Sequence, residues 1–265
     1  MTFLEKVVAE KKELVRAKKR QRSIEDLKDI SSNLKKRPFF EAFKKRFPED
    51  VRIIGEIKMA SPSKGTLKEC VNPETQAMIY ADAGAKAVSV ITEERYFRGS
   101  LDFVPLVKKA ISLPVLRKDF IVDVYEIYES KASGADCVLL IGEILETQLL
   151  KDCLRVAKEI DIDCLCEIHE LSTFEKISDV DGYILGINNR DLKTLSVDIS
   201  KGYKILDHIP FHIPVIIESG IEKREDVLMF MEKGVSGFLI GTALMVAKDP
   251  FKKLIELRGE DVAQD

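Results

Sequence analysis

The first strand signal in the chain is the run RIIGEIK at residues 52–58. Period-two alternation in a strand places Ile54, Glu56 and Lys58 on one face and the remaining residues of the run on the other. A glutamate and a lysine therefore share a face with an apolar residue. We take this face as the inward face of the predicted strand.

Seven further runs rich in Ile, Val and Leu follow at intervals of roughly twenty to thirty-five residues, the length of a strand plus a helix. They are AVSVIT (87–92), PVLRKDF (114–120), CVLLI (137–141), DCLCEI (163–168), YILGIN (183–188), IPVIIES (213–219) and GFLIG (237–241). Amphipathic segments alternate with these runs, as they do where helices cover parallel strands. Eight such units predict the α/β class and a (β/α)8 TIM barrel. The alternative is an open, doubly wound sheet, which usually has fewer strands, and no run carries its GxGxxG dinucleotide-binding pattern.

Residues 1–48 carry no strand signal and are predicted to form a helical extension packed on a barrel of residues 49–265, in a single domain. Ser23 with Asp26 indicates the cap of a second helix in this extension. Apolar residues at helical spacing in the first helix are Leu4, Val7, Val8, Leu14 and Val15.

Proline and glycine mark the ends of several predicted helices. Asn72-Pro73-Glu74 and Asp249-Pro250 are typical of an N-cap followed by proline at the first helical position. Gly134 and Gly234 are predicted to end helices that precede strands.

The 42 basic and 45 acidic residues give a net charge of −3, so no field of one sign favours nucleic acid or an anionic membrane. The basic run Lys18, Lys19, Arg20 and Arg22 is interpreted as a solvated helix face rather than a nucleic-acid patch. No apolar run reaches the length of a membrane span, and charges interrupt the N-terminal segment where a signal peptide has its apolar core. We therefore expect a cytoplasmic protein.

The five cysteines are an odd number, and three of them, Cys137, Cys164 and Cys166, lie in apolar strand-like runs. This placement favours reduced, buried thiols over a disulfide framework. Cys164, Cys166 and His169 do not match a common zinc-ligand spacing, so we expect no metal site.

Polar residues end five of the predicted strands. On the inward face, Leu116 is followed by Lys118, Leu165 by Glu167, Ile184 and Gly186 by Asn188, and Ile216 by Glu218, as Ile54 is by Glu56 and Lys58. Active sites of TIM barrels lie at these carboxyl ends. Burying an unpaired charge costs several kcal/mol, so three glutamates and two lysines at one barrel mouth favour an acid–base site over packing.

Three loops at the same barrel end are rich in glycine and hydroxyl residues. They are SPSKG (61–65) after the first strand, Ser219-Gly220 after the seventh and Gly241-Thr242 after the eighth. Glycines let backbone N–H groups approach an anion, and hydroxyls add donors. Because phosphate sites after strands seven and eight are frequent in this fold, the loops predict a phosphorylated small-molecule substrate.

The motifs EIKMASPSKG (56–65), ITEERYFRGS (91–100), LRKDFIVD (116–123), GINNRDL (186–192), ESGI (218–221) and LIGTALM (239–245) together resemble the indole-3-glycerol-phosphate synthase family. The resemblance extends from the N-terminal helix to the last helix. It implies ring closure of 1-(2-carboxyphenylamino)-1-deoxyribulose 5-phosphate, with loss of carbon dioxide and water, in tryptophan biosynthesis. It also implies a monomer that needs no cofactor.

The resemblance further implies residue roles. Lys118 matches the general acid that protonates the substrate ketone, and Glu167 matches the acid–base glutamate. Glu56 and Lys58 match residues that assist later proton transfers and loss of the hydroxyl. The matching catalytic set is completed by Asn188, Glu218 and Ser219.

Substrate contacts also follow from the resemblance. Arg190 matches the residue that contacts the substrate carboxylate. The residues that match the pocket for the benzene ring are Phe97, Phe120 and Leu139, and those that match the phosphate cradle are Ser61, Gly220, Gly241 and Thr242. Thr242 stands where many relatives have serine and keeps the hydroxyl donor, whereas Ala60 replaces a lysine found in some members, so that contact is not carried over.

Two other functions fit parts of the pattern. Phosphoribosylanthranilate isomerase shares a phosphate cradle but uses a cysteine and an aspartate, and no such pair ends the predicted strands. A non-catalytic phosphometabolite-binding barrel needs the cradle. It has no evident need for both Lys118 and Glu167, which favours an enzyme.

Overall fold

Eight parallel strands form a closed barrel in the computed structural model, which describes residues 2–47, 49–62, 65–67, 71–192 and 194–260. Each strand pairs with its sequence neighbours, and the last pairs with the first. The strands are β1 Ile53–Ile57, β2 Ala87–Ile91, β3 Val115–Lys118, β4 Cys137–Ile141, β5 Asp163–Ile168, β6 Ile184–Asn188, β7 Val215–Glu218 and β8 Gly237–Ile240. All eight predicted strands are confirmed, and closure of the sheet excludes the open-sheet alternative.

The buried apolar residues fall into two clusters that follow the predicted alternation. Ile54 of β1 and Leu116 of β3 belong to the cluster inside the barrel. Their neighbours Ile53 and Val115 belong to the cluster between the strands and the surrounding helices. The strand face that RIIGEIK predicts to point into the barrel is therefore correct. This face determines which residues reach the barrel mouth.

Helices alternate with the strands around the barrel. They are α1 Phe3–Gln21, α2 Ile24–Ser31, α3 Phe39–Phe43, α4 Pro73–Asp82, α5 Phe103–Ala110, α6 Tyr125–Ala132, α7 Thr147–Glu159, α8 Leu171–Phe174, α9 Ile199–Ile205, α10 Arg224–Met231, α11 Thr242–Val246 and α12 Pro250–Arg258, with a 3-10 turn at Leu206–His208. None of these described helices has the length and apolar character needed to cross a membrane.

The predicted helix ends are confirmed. The Asn72 and Asp249 side chains accept hydrogen bonds from backbone N–H groups in the first turns of α4 and α12, and a proline follows each cap. Gly134 and Gly234 adopt φ values of 89° and 71°, in the left-handed region that glycine enters without strain.

The N-terminal segment contains the two predicted helices. Ser23 and Asp26 form a reciprocal capping box at the start of α2, as predicted. Val7 and Val15 of α1 are buried. Leu14 follows the same apolar spacing but is 41% exposed, whereas Lys11 occupies a buried position between Val7 and Val15.

Two elements have no counterpart in the predictions. A small antiparallel hairpin pairs Ala60–Ser61 with Gly65–Thr66 after β1. The short helix α3 covers the amino end of the barrel, where Asp163 at the start of β5 accepts the backbone N–H of Phe40 at 2.8 Å. The interior is therefore closed at this end, and the functional cavity lies at the opposite end.

Candidate active site

Four ionisable side chains meet at the carboxyl ends of the strands. Lys118 is the last residue of β3. Its Nζ lies 3.5 Å from Glu167 Oε2, 3.8 Å from Glu218 Oε2 and 3.9 Å from Glu56 Oε2. These glutamates, from β5, β7 and β1, are 2%, 1% and 3% exposed. The strand-end positions predicted from alternation thus converge on one lysine.

The charge of Lys118 is stabilised by these carboxyl groups. Burial alone lowers the pKa of a lysine because it penalises the cation. Here the interactions with the carboxyl groups of Glu167, Glu218 and Glu56 outweigh burial and raise the pKa of Lys118 above the ordinary value. Lys118 is therefore protonated at neutral pH and able to donate a proton.

The glutamates differ in protonation. Burial acts to raise the pKa of Glu167, but the positive charges of Lys118 and His169 and a hydrogen bond to Asn188 bring it below the ordinary value. Burial and the negative charge of Glu167 raise the pKa of Glu218 far above it. Of this pair beside Lys118, Glu167 is therefore ionised and Glu218 is neutral.

Lys58 and Glu56 form a second ion pair at the same mouth. Lys58 Nζ lies 2.8 Å from Glu56 Oε1. Burial acts to raise the pKa of Glu56, but the charges of Lys58 and Lys118 bring it below its ordinary value. Gly241 is required beside this pair, because a Cβ at that position would lie 2.2 Å from Glu56 Oε1.

A cavity of about 350 Å³ opens over these groups. This volume is in the usual range for a small-molecule site. Of the predicted site residues, those that line it are Glu56, Lys58, Ser61, Phe97, Lys118, Phe120, Glu167, Asn188, Arg190, Glu218, Ser219, Gly220, Gly241 and Thr242. One predicted residue is absent from this wall.

That residue is Leu139, which belongs one layer deeper in the barrel. It is 1% exposed and lines a small adjoining cavity with Phe97 and Phe120. Alternation along β4 places Ile141 two residues further toward the mouth, and Ile141 lines the main cavity. Leu139 thus supports the aromatic wall from behind, and Ile141 is the residue of β4 that meets the cavity.

The two aromatic residues lie side by side on one wall. The ring centroids of Phe97 and Phe120 are 6.1 Å apart, with their planes tilted by 47°. Arg190 follows β6 on the same cavity, and its Nη1 donates to the carbonyl of Leu195 at 2.8 Å. An apolar wall and a guanidinium group therefore belong to one cavity.

The small-residue loops meet at another part of the wall. Ser61, Ser219, Gly220, Gly241 and Thr242 all line the cavity, while Ser63 and Lys64 of the predicted SPSKG loop lie outside the described residues. Ser219 and Gly220 have φ values of 64° and 84°. A serine in this strained region is held there by its surroundings, which is frequent at functional sites.

Several residues of the site were missed by sequence reasoning. The carboxylate of Glu93, two residues after the end of β2, accepts hydrogen bonds from the backbone N–H groups of Arg95, Tyr96 and Phe97 at 3.0, 2.7 and 2.9 Å. These bonds shape the loop that carries Phe97. The sequence offered one signal for Glu93: it is an acidic residue that directly follows the predicted strand AVSVIT and precedes Phe97 by four residues.

Phe3 and Leu4 of α1 also line the cavity, so the N-terminal extension forms part of the wall. Phe3 packs edge-on against Tyr96, with ring centroids 5.0 Å apart. Nothing in the local sequence marks these two residues, because their contacts depend on how α1 crosses the barrel.

The cysteines that the structure describes lie away from the cavity. Cys164 and Cys166 belong to the outer apolar cluster, on the face of β5 opposite Glu167, and Cys137 begins β4. Among the described residues, no group of acids, cysteines and histidines has an arrangement that could hold a metal ion. No cysteine lines the cavity in the described part of the chain, as the isomerase alternative would require.

Solved structures with the same barrel have little sequence in common with this chain. The 3-hexulose-6-phosphate synthase of Salmonella typhimurium aligns with a TM-score of 0.63 and 15% identity, over 79% of this chain and 97% of that chain. The tryptophan synthase alpha-subunit of Pyrococcus furiosus aligns with a TM-score of 0.60 and 18% identity, over 79% of this chain and 98% of that chain. These similarities support the fold alone.

Sequence comparisons give the family. The indole-3-glycerol phosphate synthase family profile matches residues 4–257. Proteins with that name are 43% identical in Aquifex aeolicus, over 98% of this chain and 100% of the relative, and 44% identical in Caldanaerobacter subterraneus subsp. tengcongensis, over 92% and 93%. The chain therefore belongs to the indole-3-glycerol phosphate synthase family.

Proposed function

We propose that this cavity catalyses the family reaction, in which 1-(2-carboxyphenylamino)-1-deoxyribulose 5-phosphate closes to indole-3-glycerol phosphate with loss of carbon dioxide and water. The observation that carries this proposal is the protonated Lys118 among three buried glutamates on a cavity with an apolar wall and small-residue loops. An acid–base reaction on a phosphorylated aromatic substrate needs these three features together.

The substrate is oriented by groups at different parts of the cavity. We place its phosphate against Ser61, Gly220, Gly241 and Thr242, where small residues allow close approach of backbone N–H groups. Its benzene ring lies against Phe97 and Phe120. Its carboxylate pairs with Arg190, whose planar guanidinium group favours two parallel hydrogen bonds.

Ring closure comes first. The aromatic carbon that carries the carboxylate attacks the ketone carbon, and Lys118 donates a proton to the ketone oxygen as the carbon–carbon bond forms. The carboxylate then leaves as carbon dioxide, and the electrons of the broken bond restore the aromatic ring. Lys118 is suited to the first step because its Nζ is protonated and its side chain is only 18% exposed, where charge stabilisation is stronger than in water.

Dehydration completes the pyrrole ring. The new hydroxyl takes up a second proton and leaves as water, and the carbon next to nitrogen loses a proton to a base. We assign Glu167 as this base because it is ionised and lies nearest to Lys118 Nζ, whereas the ionised Glu56 is paired with Lys58. Lys58 and Glu56 assist departure of the hydroxyl, and Asn188 and Ser219 complete the catalytic set.

The proton count of the whole reaction follows from these steps. Two protons reach the ketone oxygen and one leaves carbon, so each turnover takes up one proton from solvent. The count agrees with the loss of one negative charge when a carboxylate becomes neutral carbon dioxide. No redox step occurs, and we propose that the reaction needs no cofactor.

A monomer in the cytoplasm is part of the same proposal. Sedimentation of the purified protein measures the oligomeric state directly.

The assignment of Lys118 is tested by indole fluorescence. The chain has no tryptophan, so product is seen against a low background. The Lys118→Met variant is expected to lose at least about 100-fold in kcat, because it removes the proton donor. Lys109→Met, which removes an exposed lysine of α5, is the matched control and is expected to behave as wild type.

Near-normal turnover by Lys118→Met would contradict the role of this lysine. If wild-type protein binds the substrate without any indole signal, the chain is instead a non-catalytic phosphometabolite-binding barrel.

A further inference from the structure

A buried histidine contacts Glu167 from outside the cavity wall. His169 follows β5 directly, is 4% exposed and does not line the cavity. Its Nε2 lies 3.4 Å from Glu167 Oε1. Nε2 makes no hydrogen bond with the residues that the structure describes. The polar group that it faces is the carboxyl group of Glu167, the proposed base.

The other side of the ring is held by Glu143, which follows β4. Glu143 Oε2 lies 3.0 Å from His169 Nδ1, and Oε1 accepts the backbone N–H of His169 at 2.7 Å. A carboxylate only accepts hydrogen bonds, so Nδ1 carries a proton and donates it. Glu143 therefore fixes both the position of the ring and the tautomer that aims Nε2 at Glu167.

We propose that His169, oriented by Glu143, is a positioning residue that faces Glu167 as an imidazolium ion and holds it as the carboxylate base of the site. Glu167 and Glu218 both flank Lys118, and Lys118 alone does not distinguish between them because it lies 3.5 Å from one and 3.8 Å from the other. The charged group that distinguishes Glu167 from Glu218 is His169, which faces Glu167. This inference rests on the proposed function, which makes Glu167 the base.

The charges around this pair support the assignment. Burial acts to lower the pKa of His169, but the hydrogen bond to Glu143 and the negative charge of Glu167 raise it above the ordinary value, against an opposing effect of Lys118. The groups that face Glu167 are His169 beside it, Lys118 from β3, Glu218 from β7, Glu56 from β1 and Asn188 from β6. Among them, Lys118 and His169 favour the ionised form through positive charge.

The test is the pH dependence of kcat/KM. Activity requires ionised Glu167, so it is lost as pH falls through the pKa of that group. Without the imidazolium charge the pKa of Glu167 rises, and the acid limb of the profile moves to higher pH. We expect His169→Gln and Glu143→Gln to reduce kcat/KM by roughly ten-fold on the acid side and much less on the alkaline side.

Glu146→Gln is the matched control, because it removes the same charge from an exposed position on the loop that carries Glu143. It is expected to leave the profile unchanged. Glu143→Gln keeps an oxygen for the backbone N–H of His169 and keeps the histidine itself. It therefore tests the effect of the Glu143 charge on His169 and Glu167 with little change in shape. A uniform loss at all pH values, or an unmoved acid limb in both variants, would overturn the proposal.

A second measurement does not depend on activity. The chain has three histidines, and His208 and His212 are exposed. NMR titration of the imidazole resonances is expected to show a lower midpoint for His169 in Glu143→Gln than in wild type, with the exposed pair as internal references. An unchanged His169 midpoint would contradict the role of Glu143. Inactive wild-type protein would instead contradict the proposed function.

Discussion

Glu167 and Glu218 are the same residue type in the same cavity, yet their pKa values move in opposite directions. Both are buried, and burial raises the pKa of each. Glu167 also faces His169 and Asn188, which favour its ionised form, whereas the pKa of Glu218 is raised further by the charge of Glu167. The environments of two equal side chains thus separate a base from a neutral hydrogen-bonding group.

This separation predicts different effects for the same substitution. Glutamine resembles a protonated glutamate in shape and charge, so Glu218→Gln is expected to keep kcat/KM within roughly ten-fold of wild type. Glu167→Gln removes the base and is expected to cost about 100-fold or more. Steady-state kinetics of the pair measures the contrast. Equal losses would show that Glu218 also has to ionise.

Single residues were predictable where one rule applied. Alternation within RIIGEIK and its equivalents placed Glu56, Lys118 and Glu167 correctly, because a strand has only two faces. Alternation did not give depth along the strand, so it could not show that Ile141 reaches the main cavity while Leu139 lines the small adjoining cavity with Phe97 and Phe120. The ionisation of Glu218 could not be predicted from the sequence either, since it depends on neighbours from three other strands.

At the scale of elements, α1 is joined to the catalytic strand by buried charges. Lys11 Nζ lies 3.0 Å from Asp119 Oδ1 and 3.2 Å from Glu126 Oε1. Arg117 Nη2 lies 3.2 Å from Asp119 Oδ2 and 2.9 Å from Glu129 Oε2. Arg117 and Asp119 flank Lys118 in sequence, so the outward side chains next to it are tied to α1 and α6.

The basic run of α1 has more contacts than a solvated face implies. Lys18 pairs with Glu129 of α6 at 2.7 Å and Lys19 with Asp123 at 2.7 Å, while Arg20 and Arg22 are exposed. The periodicity of apolar residues could not identify Lys11 as buried, because its partners lie more than one hundred residues away in sequence. The two-residue strands of the hairpin at Ala60–Ser61 were likewise too short to show a period.

The buried pairs predict a stability difference between two adjacent lysines. Lys11→Met removes one of the two buried cations beside Asp119 and Glu126, leaving only Arg117, and is expected to lower the free energy of unfolding by about 3 kcal/mol. Lys12→Met, at an exposed position of the same helix, is the control and is expected to change it little. Urea unfolding measures both. Equal stabilities would mean that α1 contributes no buried electrostatic contact.

At the scale of the molecule, the two ends of the barrel differ in role: one end is closed by packing and the other carries the cavity. The amino end is closed by α3, with Phe39 and Phe43 fully buried, and the carboxyl end carries the cavity. The N-terminal segment contacts both ends, through α3 at one and through Phe3 and Leu4 at the other. We therefore propose that residues 1–48 and 49–265 unfold as one domain. The unfolding curve measured by helical content is then expected to coincide with the curve measured by the fluorescence that reports tertiary packing.

The architecture was predictable at this scale because eight regularly spaced strand signals allow few arrangements. The course of the N-terminal segment across the barrel was not predictable, since it is determined by long-range contacts such as Arg37 N–H to Asp136 at 2.7 Å. The sequence thus indicated which residues lie at the barrel mouth. The structure shows which contacts, including those of the N-terminal segment, hold these residues in place.

The most direct test of the proposed reaction is its stoichiometry. Purified protein and 1-(2-carboxyphenylamino)-1-deoxyribulose 5-phosphate are mixed without added metal or nucleotide, and indole product, carbon dioxide and proton uptake are measured together. In a buffer acidic enough to keep the released carbon dioxide from forming bicarbonate and a proton, we predict equal amounts of all three, with saturation in substrate. Binding without indole, or carbon dioxide released without an equal amount of indole, would contradict the proposed ring closure.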